Sequence, residues 1–293
     1  MSRRTNAEEI AGEYRGGKLE GYFKAGILHG FARHFEKRGQ LTFLGNHKNG
    51  KPDGTCWKII RGGGCIVGRV DTAGKLTGED IAYIYPDYAT ALVGQFRHGA
   101  LEKAQEAVIT DICEDKVGIK IPIFSKPGSH VHVRQDRNMD PVLFLDPTTR
   151  DPYESKMVVL HTSDIPGADE GLFAKVPMEM NTTVAFYNGD PVKAEDFDPD
   201  TWDTNSYKIF DPIIVPRGTI DIPPWAQVSK TKYFIIRIFF CCQSLAAYCA
   251  TLAHKTNHSF QPNAQFTVFD HPKFGLIPCI ATIVDIQQGE EVS

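Results

Sequence analysis

The chain has 293 residues, 42% hydrophobic and 23% charged, with a formal net charge of −4. Those values exclude wholesale disorder and a strongly basic nucleic-acid binder, and the length accommodates about two domains of ordinary size. Turn residues are divided unevenly. Eighteen of the 26 glycines lie in residues 1–99, whereas sixteen of the 18 prolines run from Pro122 to Pro278. Charge is divided as well. Residues 1–110 hold 16 Lys/Arg against 12 Asp/Glu, a net of +4, and residues 111–293 hold 16 against 24, a net of −8. Two units are therefore expected to meet near residues 100–120. The acidic second half suits either a solvated face or a cationic partner. Seven cysteines without a C-x-x-C pair exclude a zinc ribbon or a disulfide scaffold and point to a reducing compartment. The first residues have no apolar core and do not read as a secretory signal.

In the first hundred residues the glycines are periodic. Gly21, Gly26 and Gly30 sit at offsets 0, 5 and 9; Gly45, Gly50 and Gly54 repeat them; Gly68, Gly74 and Gly78 follow at 0, 6 and 10; Gly94 and Gly99 begin a fourth set. Short aromatic or β-branched runs lie between them, such as Leu41–Leu44 and Ile81–Tyr85. Each unit reads as a β-hairpin with glycine turns, and successive hairpins must stack into one long antiparallel sheet to bury their apolar faces. In residues 106–150, His130 and His132 alternate along a predicted strand. No third ligand is nearby, so the pair reads as a polar strand face, not a metal site.

The second half contains three blocks: Ile165-Pro-Gly-Ala-Asp-Glu-Gly-Leu-Phe-Ala-Lys175, Val184-Ala-Phe-Tyr-Asn-Gly189, and Asn257-His-Ser-Phe-Gln-Pro-Asn263. Taken singly, each is an ordinary turn or strand. An acidic cluster (Asp190, Glu195, Asp196, Asp198, Asp200 and Asp203) follows the second block. It reads equally as an exposed loop or as a steering surface for a basic peptide. Tyr233–Ala253 is long enough for a bilayer span, but Arg237, Gln243 and Ser244 interrupt it and no membrane span is expected. Helices are expected near Ala194–Asp203 and Leu245–Lys255.

The repeats of residues 12–105 resemble the MORN family. The order and spacing of the later blocks resemble the SET-domain lysine methyltransferases. Asp151-Pro-Tyr-Glu-Ser155, Glu170-Gly-Leu-Phe173, His254-Lys-Thr-Asn-His-Ser-Phe260 and His271-Pro-Lys-Phe-Gly275 sharpen the match to the MORN-repeat SET enzymes of the histone lysine-4 monomethylating type. The resemblance implies a mainly β fold: MORN repeats at 12–105, a connecting pre-SET β region at 106–150, and a SET domain of small, pseudoknot-like sheets at 151–293. It implies S-adenosyl-L-methionine as cofactor and transfer of a methyl group to a lysine amine, with no metal. By residue, it implies that Tyr187, Phe266 and Lys255 stand at the catalytic channel. It places Ala168, Asp169, Glu170, Asn257 and His258 at the cofactor, with Asp169 where the family has glycine. Histone tails and other lysine-containing proteins are the implied substrates. A nuclear, chromosome-associated monomer is expected, with the cytoplasm as a second location and no direct nucleic-acid or membrane binding. The alternative is a catalytically impaired MORN/SET interaction protein.

Three departures from the family stand out. Phe266 replaces a tyrosine, which removes a hydroxyl anchor and implies room for more than one methyl group. Thr231–Ala247 has no counterpart and is expected to be an insertion, since Phe239-Phe-Cys-Cys-Gln243 has the coding form of a splice acceptor. The family continues beyond Gly289-Glu-Glu-Val-Ser293 into a strand with a catalytic tyrosine, so a C-terminally truncated domain is expected.

Overall fold

The computed structural model describes residues 8–14, 17–60, 62–116, 118–134, 149–192, 209, 219–221 and 251–293. The chain divides into two compact units, Met1–Arg134 and Gln135–Ser293. Both are mainly β. The expected helix at 194–203, most of the acidic cluster, the insertion at 231–247 and the apolar window through residue 250 lie outside the described residues. At 253–255, the end of the second expected helix, there is a single 3-10 turn. Among the described residues no helix is long and apolar enough to cross a membrane.

The first unit is an antiparallel sheet of eleven strands. They are β1 (Glu8–Tyr14), β2 (Gly17–Lys24), β3 (Ile27–Phe35), β4 (Leu41–Lys48), β5 (Lys51–Ile59), β6 (Cys65–Arg69), β7 (Gly78–Ile84), β8 (Thr90–Arg97), β9 (Ala100–Glu114), β10 (Lys120–Phe124) and β11 (Val131–Val133). Strands β1 to β10 pair in sequence order, and β11 pairs with β9. The long β9 carries the sheet past residue 105. Its far end pairs with β10, and residues 103–105 pair with β11.

The repeat arises from two different uses of glycine. At the β4–β5 turn, Asn49 and Gly50 have φ of 52° and 79°. Two positive φ values in a two-residue loop match the right-handed twist of the strands it joins. Ala25–Gly26 and His98–Gly99 close β2–β3 and β8–β9 in the same way. The offset-0 glycines, by contrast, are not turn residues. Gly45 lies inside β4 opposite Ala32 on β3 and Cys56 on β5, and a Cβ there would lie 2.4 Å from the Cys56 Sγ. Gly21 faces Ala32 and Cys56 faces Gly68, so small residues run as one row from β2 to β6; Ile81 follows on β7, facing Gly94, which in turn faces Ala104. The expectation that every periodic glycine marks a turn is corrected here: that row is set by close cross-strand packing.

On the central strands, Cys65, Val67, Ala82, Ile84 and Ala91 form a buried cluster against which Trp57, Ile59, Val93, Ile109 and Phe124 pack. The β9–β10 hairpin reaches back over this face, where Trp57 Nε1 donates to the Lys120 carbonyl at 2.8 Å. His130 and His132 do lie together, with ring centroids 4.9 Å apart. His132 is buried, however, and not part of an open polar face.

The second unit runs through α1 (Glu154–Met157), β12 (Val158–Thr162), β13 (Glu170–Ala174), β14 (Thr183–Phe186), β15 (Asp190–Val192), β16 (Thr219–Asp221), the 3-10 turn Ala253–Lys255, β17 (Ala264–His271), β18 (Gly275–Thr282) and β19 (Glu291–Val292). These strands make three small sheets, ordered β12-β13-β19, β14-β18-β17 and β15-β16. Leu172, Val184, Phe186, Phe269, Ile277, Cys279 and Val292 are all buried. These buried residues are distant in sequence, from Leu172 to Val292.

Gly45→Val forces a branched side chain into the row against Cys56. It is expected to lower unfolding free energy by about 1–3 kcal/mol, measured by denaturant titration. Gly128→Ala, where a Cβ meets nothing closer than 3.6 Å, is expected to stay within about 0.5 kcal/mol of the parent chain.

Candidate functional site

The loop after β12 and the start of β13 bring Ser163 and Glu170 beside the segment that follows the 3-10 turn. Asn257 Nδ2 faces three acceptors: the Glu170 carbonyl at 2.9 Å, Glu291 Oε1 at 2.9 Å and Ser163 Oγ at 3.1 Å. Ser163 Oγ in turn donates to Glu291 Oε1 at 2.7 Å, and Glu291 Oε2 accepts from the Asp164 amide at 3.0 Å. Gly171 makes this approach possible, since a Cβ there would lie 2.1 Å from Glu291 Oε1. Asn263, at the end of the same polar block, donates from Nδ2 to the Glu291 carbonyl at 2.7 Å and accepts the Ser293 amide at 2.9 Å. The two ends of the Asn257–Asn263 block thus clamp β19, and β19 clamps β13.

Lys255 and Glu170 form an ion pair at 3.3 Å; the lysine side chain is 8% exposed and the carboxylate 34%. Ala168 and Asp169 lie in the turn that enters β13, where Asp169 is exposed and Ala168 half-buried. His258 is exposed, with its ring 5.5 Å from that of Phe260. The 3-10 turn packs against both β13 and β14. It therefore joins this polar corner to an aromatic one. Tyr187, just past β14, is buried, and its ring meets Phe266 at 6.1 Å and His254 at 6.3 Å, both edge-on. Phe266 on β17 is 45% exposed, so the aromatic corner opens to solvent on that side.

The structure gathers Glu170, Lys255 and Asn257 into one contact network and Tyr187 with Phe266 into a second. Ala168, Asp169 and His258 stand at the exposed margin. Sequence reasoning overlooked Ser163, Glu291 and Asn263 as partners, and also the buried Asp151, Glu154 and His271 below Phe186. Only the placement of two acids in short polar blocks marked Glu154 and Glu291, and that signal is common in loops.

Electrostatics separates the groups further. Burial, followed by the charge of Lys255, lowers the His254 pKa to about 3, so its imidazole is neutral at physiological pH. Burial pushes the Cys56, Cys65 and Cys279 thiols up to about 12, which removes them as thiolate nucleophiles near neutrality. Among the described residues no group of three or more His, Cys, Asp or Glu is placed to hold a metal ion.

Residues 47–119 match the family described as histone H3 K4-specific methyltransferase SET7 N-terminal. The chain is 35% identical over 259 residues to histone-lysine N-methyltransferase SETD7 of Halocynthia roretzi. That alignment takes in 88% of this chain and 62% of the relative, so the chain spans somewhat under two thirds of the relative's length.

The His254 pKa is lower in the folded chain than in the unfolded one. Its contribution to stability is therefore present above about 6.5 and is lost as pH falls from there toward about 3. Denaturant midpoints taken between neutral and mildly acidic pH are expected to fall more steeply for the parent chain than for His254→Asn.

Proposed function

We propose, for a chain related over 88% of its length to a SET7-type histone-lysine N-methyltransferase, that the second unit carries an S-adenosyl-L-methionine-dependent protein-lysine methyltransferase site. The observation that carries this reading is the joining of two corners by one 3-10 turn. Lys255 reaches Glu170 on the polar side, while His254 reaches Tyr187 on the aromatic side.

The donor set at the polar corner fits the cofactor. Glu170 is a partly exposed carboxylate suited to a cationic group, Asn257 holds the strand beside it, and the exposed His258 ring offers a flat edge. Ala168, Asp169, Glu170, Asn257 and His258 would hold it. When bound, S-adenosyl-L-methionine supplies an electrophilic methyl group.

The substrate amine must be neutral to act as a nucleophile, and a free lysine has a pKa near 10.4. The Tyr187–Phe266 corner lowers that value by desolvation, and the buried cationic Lys255 acts in the same direction. The neutral His254 adds no charge of its own to this effect. Holding the nitrogen in one orientation also removes rotational freedom that the reaction would otherwise have to overcome. Basic tails such as those of histones suit the acidic half of the chain, and a chromosome-associated location in the nucleus follows from that substrate class.

Tritiated methyl transfer from S-adenosyl-L-methionine to a histone-tail peptide tests the reading. Incorporation is expected, with a loss of about tenfold or more in Asn257→Ala, which removes the polar clamp. Absence of both transfer and cofactor binding overturns the reading in favour of an interaction protein.

Phe266 has no hydroxyl to anchor a space-filling water beside Tyr187. Mass spectrometry of the product peptide is therefore expected to show species beyond a single added methyl group, and Phe266→Tyr is expected to restrict the product to one.

A further inference from the structure

Glu154 sits buried in the first turn of α1, below the aromatic corner. Its Oε1 accepts two backbone amides, Phe186 N at 2.8 Å and Leu252 N at 2.9 Å. Phe186 directly precedes Tyr187, and Leu252 directly precedes the turn that presents His254 and Lys255. Among the described residues no strand ladder joins these two segments. β14 pairs with β18, and the Tyr187 amide donates to Pro278 on that same strand. A side-chain contact from Asn188 N to Thr251 Oγ1, at 3.3 Å, is longer than either Glu154 bond.

Glu154 is itself held from below. Asp151 Oδ1 accepts the Tyr153 and Glu154 amides, each at 3.0 Å, and Asp151 Oδ2 accepts from His271 Nε2 at 3.0 Å. The Lys273 amide donates to His271 Nδ1 at 3.1 Å, which leaves the imidazole proton on Nε2 and aims it at Asp151. The His271 ring packs edge-on against Phe186 at 4.6 Å. The carboxyl group, its support and the strand it grips therefore form one contiguous buried block.

We propose that Glu154 is a positioning residue: by bridging the Phe186 and Leu252 amides it sets the Tyr187 ring against the His254–Lys255 turn, and so fixes the geometry of the lysine-binding corner. Its catalytic consequence rests on the methyltransferase reading above; the bridge itself does not. Burial and the neighbouring Asp151 charge raise the Glu154 pKa well above the usual carboxylate range. An uncharged acceptor therefore serves at this position, and glutamine retains the carbonyl oxygen that both amides need.

The test compares the full parent chain with Glu154→Gln and Glu154→Met by residue-resolved amide exchange and by methyl-transfer kinetics. In Glu154→Met, exchange at Phe186 and Leu252 is expected to rise by about tenfold or more while the β12–β13 ladder is unchanged; Glu154→Gln is expected to restore protection to within about threefold. In kinetics, Glu154→Met is expected to lower kcat by about tenfold or more with KM for S-adenosyl-L-methionine held within about twofold, and Glu154→Gln to recover kcat. If Glu154→Met does not accumulate folded, Glu154→Asp, one methylene shorter, replaces it with the same expected direction. Unchanged exchange at both amides overturns the proposal, as does a Glu154→Gln chain as loose as Glu154→Met. A joint loss of kcat and cofactor affinity also overturns it, since general destabilisation would then account for the effect. Absence of both methyl transfer and cofactor binding in the parent chain overturns the functional reading alone, because the exchange comparison still decides the bridge.

Discussion

At Gly171 the backbone of β13 comes so near Glu291 that a Cβ would lie 2.1 Å from the carboxylate oxygen. That approach lets one carboxylate accept from Ser163, Asp164 and Asn257 together. With it, β13, β19 and the Asn257–Asn263 block become one rigid corner, from which Lys255 reaches Glu170. Replacing the missing side chain would separate the strand from its clamp, and the polar half of the site would lose its support. The first unit depends on the same constraint in another form. Its row of Gly21, Ala32, Gly45, Cys56 and Gly68 lets neighbouring strands approach without steric conflict.

The two halves of the site differ in how they are stabilised. The polar corner is held by charge-assisted hydrogen bonds that converge on Glu291, which are shorter and stronger than neutral ones. The aromatic corner is held by burial: Tyr187 and Phe186 are almost fully enclosed, with Phe269 and His271 packed against Phe186. Glu154 crosses between β14 and the approach to the 3-10 turn. A buried acceptor with two amide donors is costly to remove, because both donors are then left without a partner in a region water does not reach. The arrangement thus combines a rigid base with one open side at Phe266.

Much of the first unit was legible in the sequence because turn glycines recur at a fixed spacing with short aromatic or β-branched runs between them. Asn49–Gly50 is readable as a hairpin turn from two letters, since few residues tolerate positive φ. The role of Gly45 was not readable in that way. A glycine in a strand and a glycine in a turn look alike until the register shows what stands opposite. In the second unit the blocks around Glu170, Tyr187 and Asn257 were visible, but their partners were not. Ser163 and Glu291 are 128 positions apart and are joined by a single hydrogen bond. His271 and Asp151 are 120 positions apart.

The sequence by itself determined the mainly β character and the division into a glycine-turn sheet and a proline-punctuated second unit. Both follow from local backbone preferences that a few neighbouring residues impose. It also indicated which residue types the site would contain. Tertiary structure alone decided which of them meet. The Lys255–Glu170 pair, the Asn257 clamp on Glu291 and the Glu154 bridge all depend on small sheets bringing distant segments within hydrogen-bond reach. Their geometry is a property of register and close packing, for which no local pattern in the chain is a substitute.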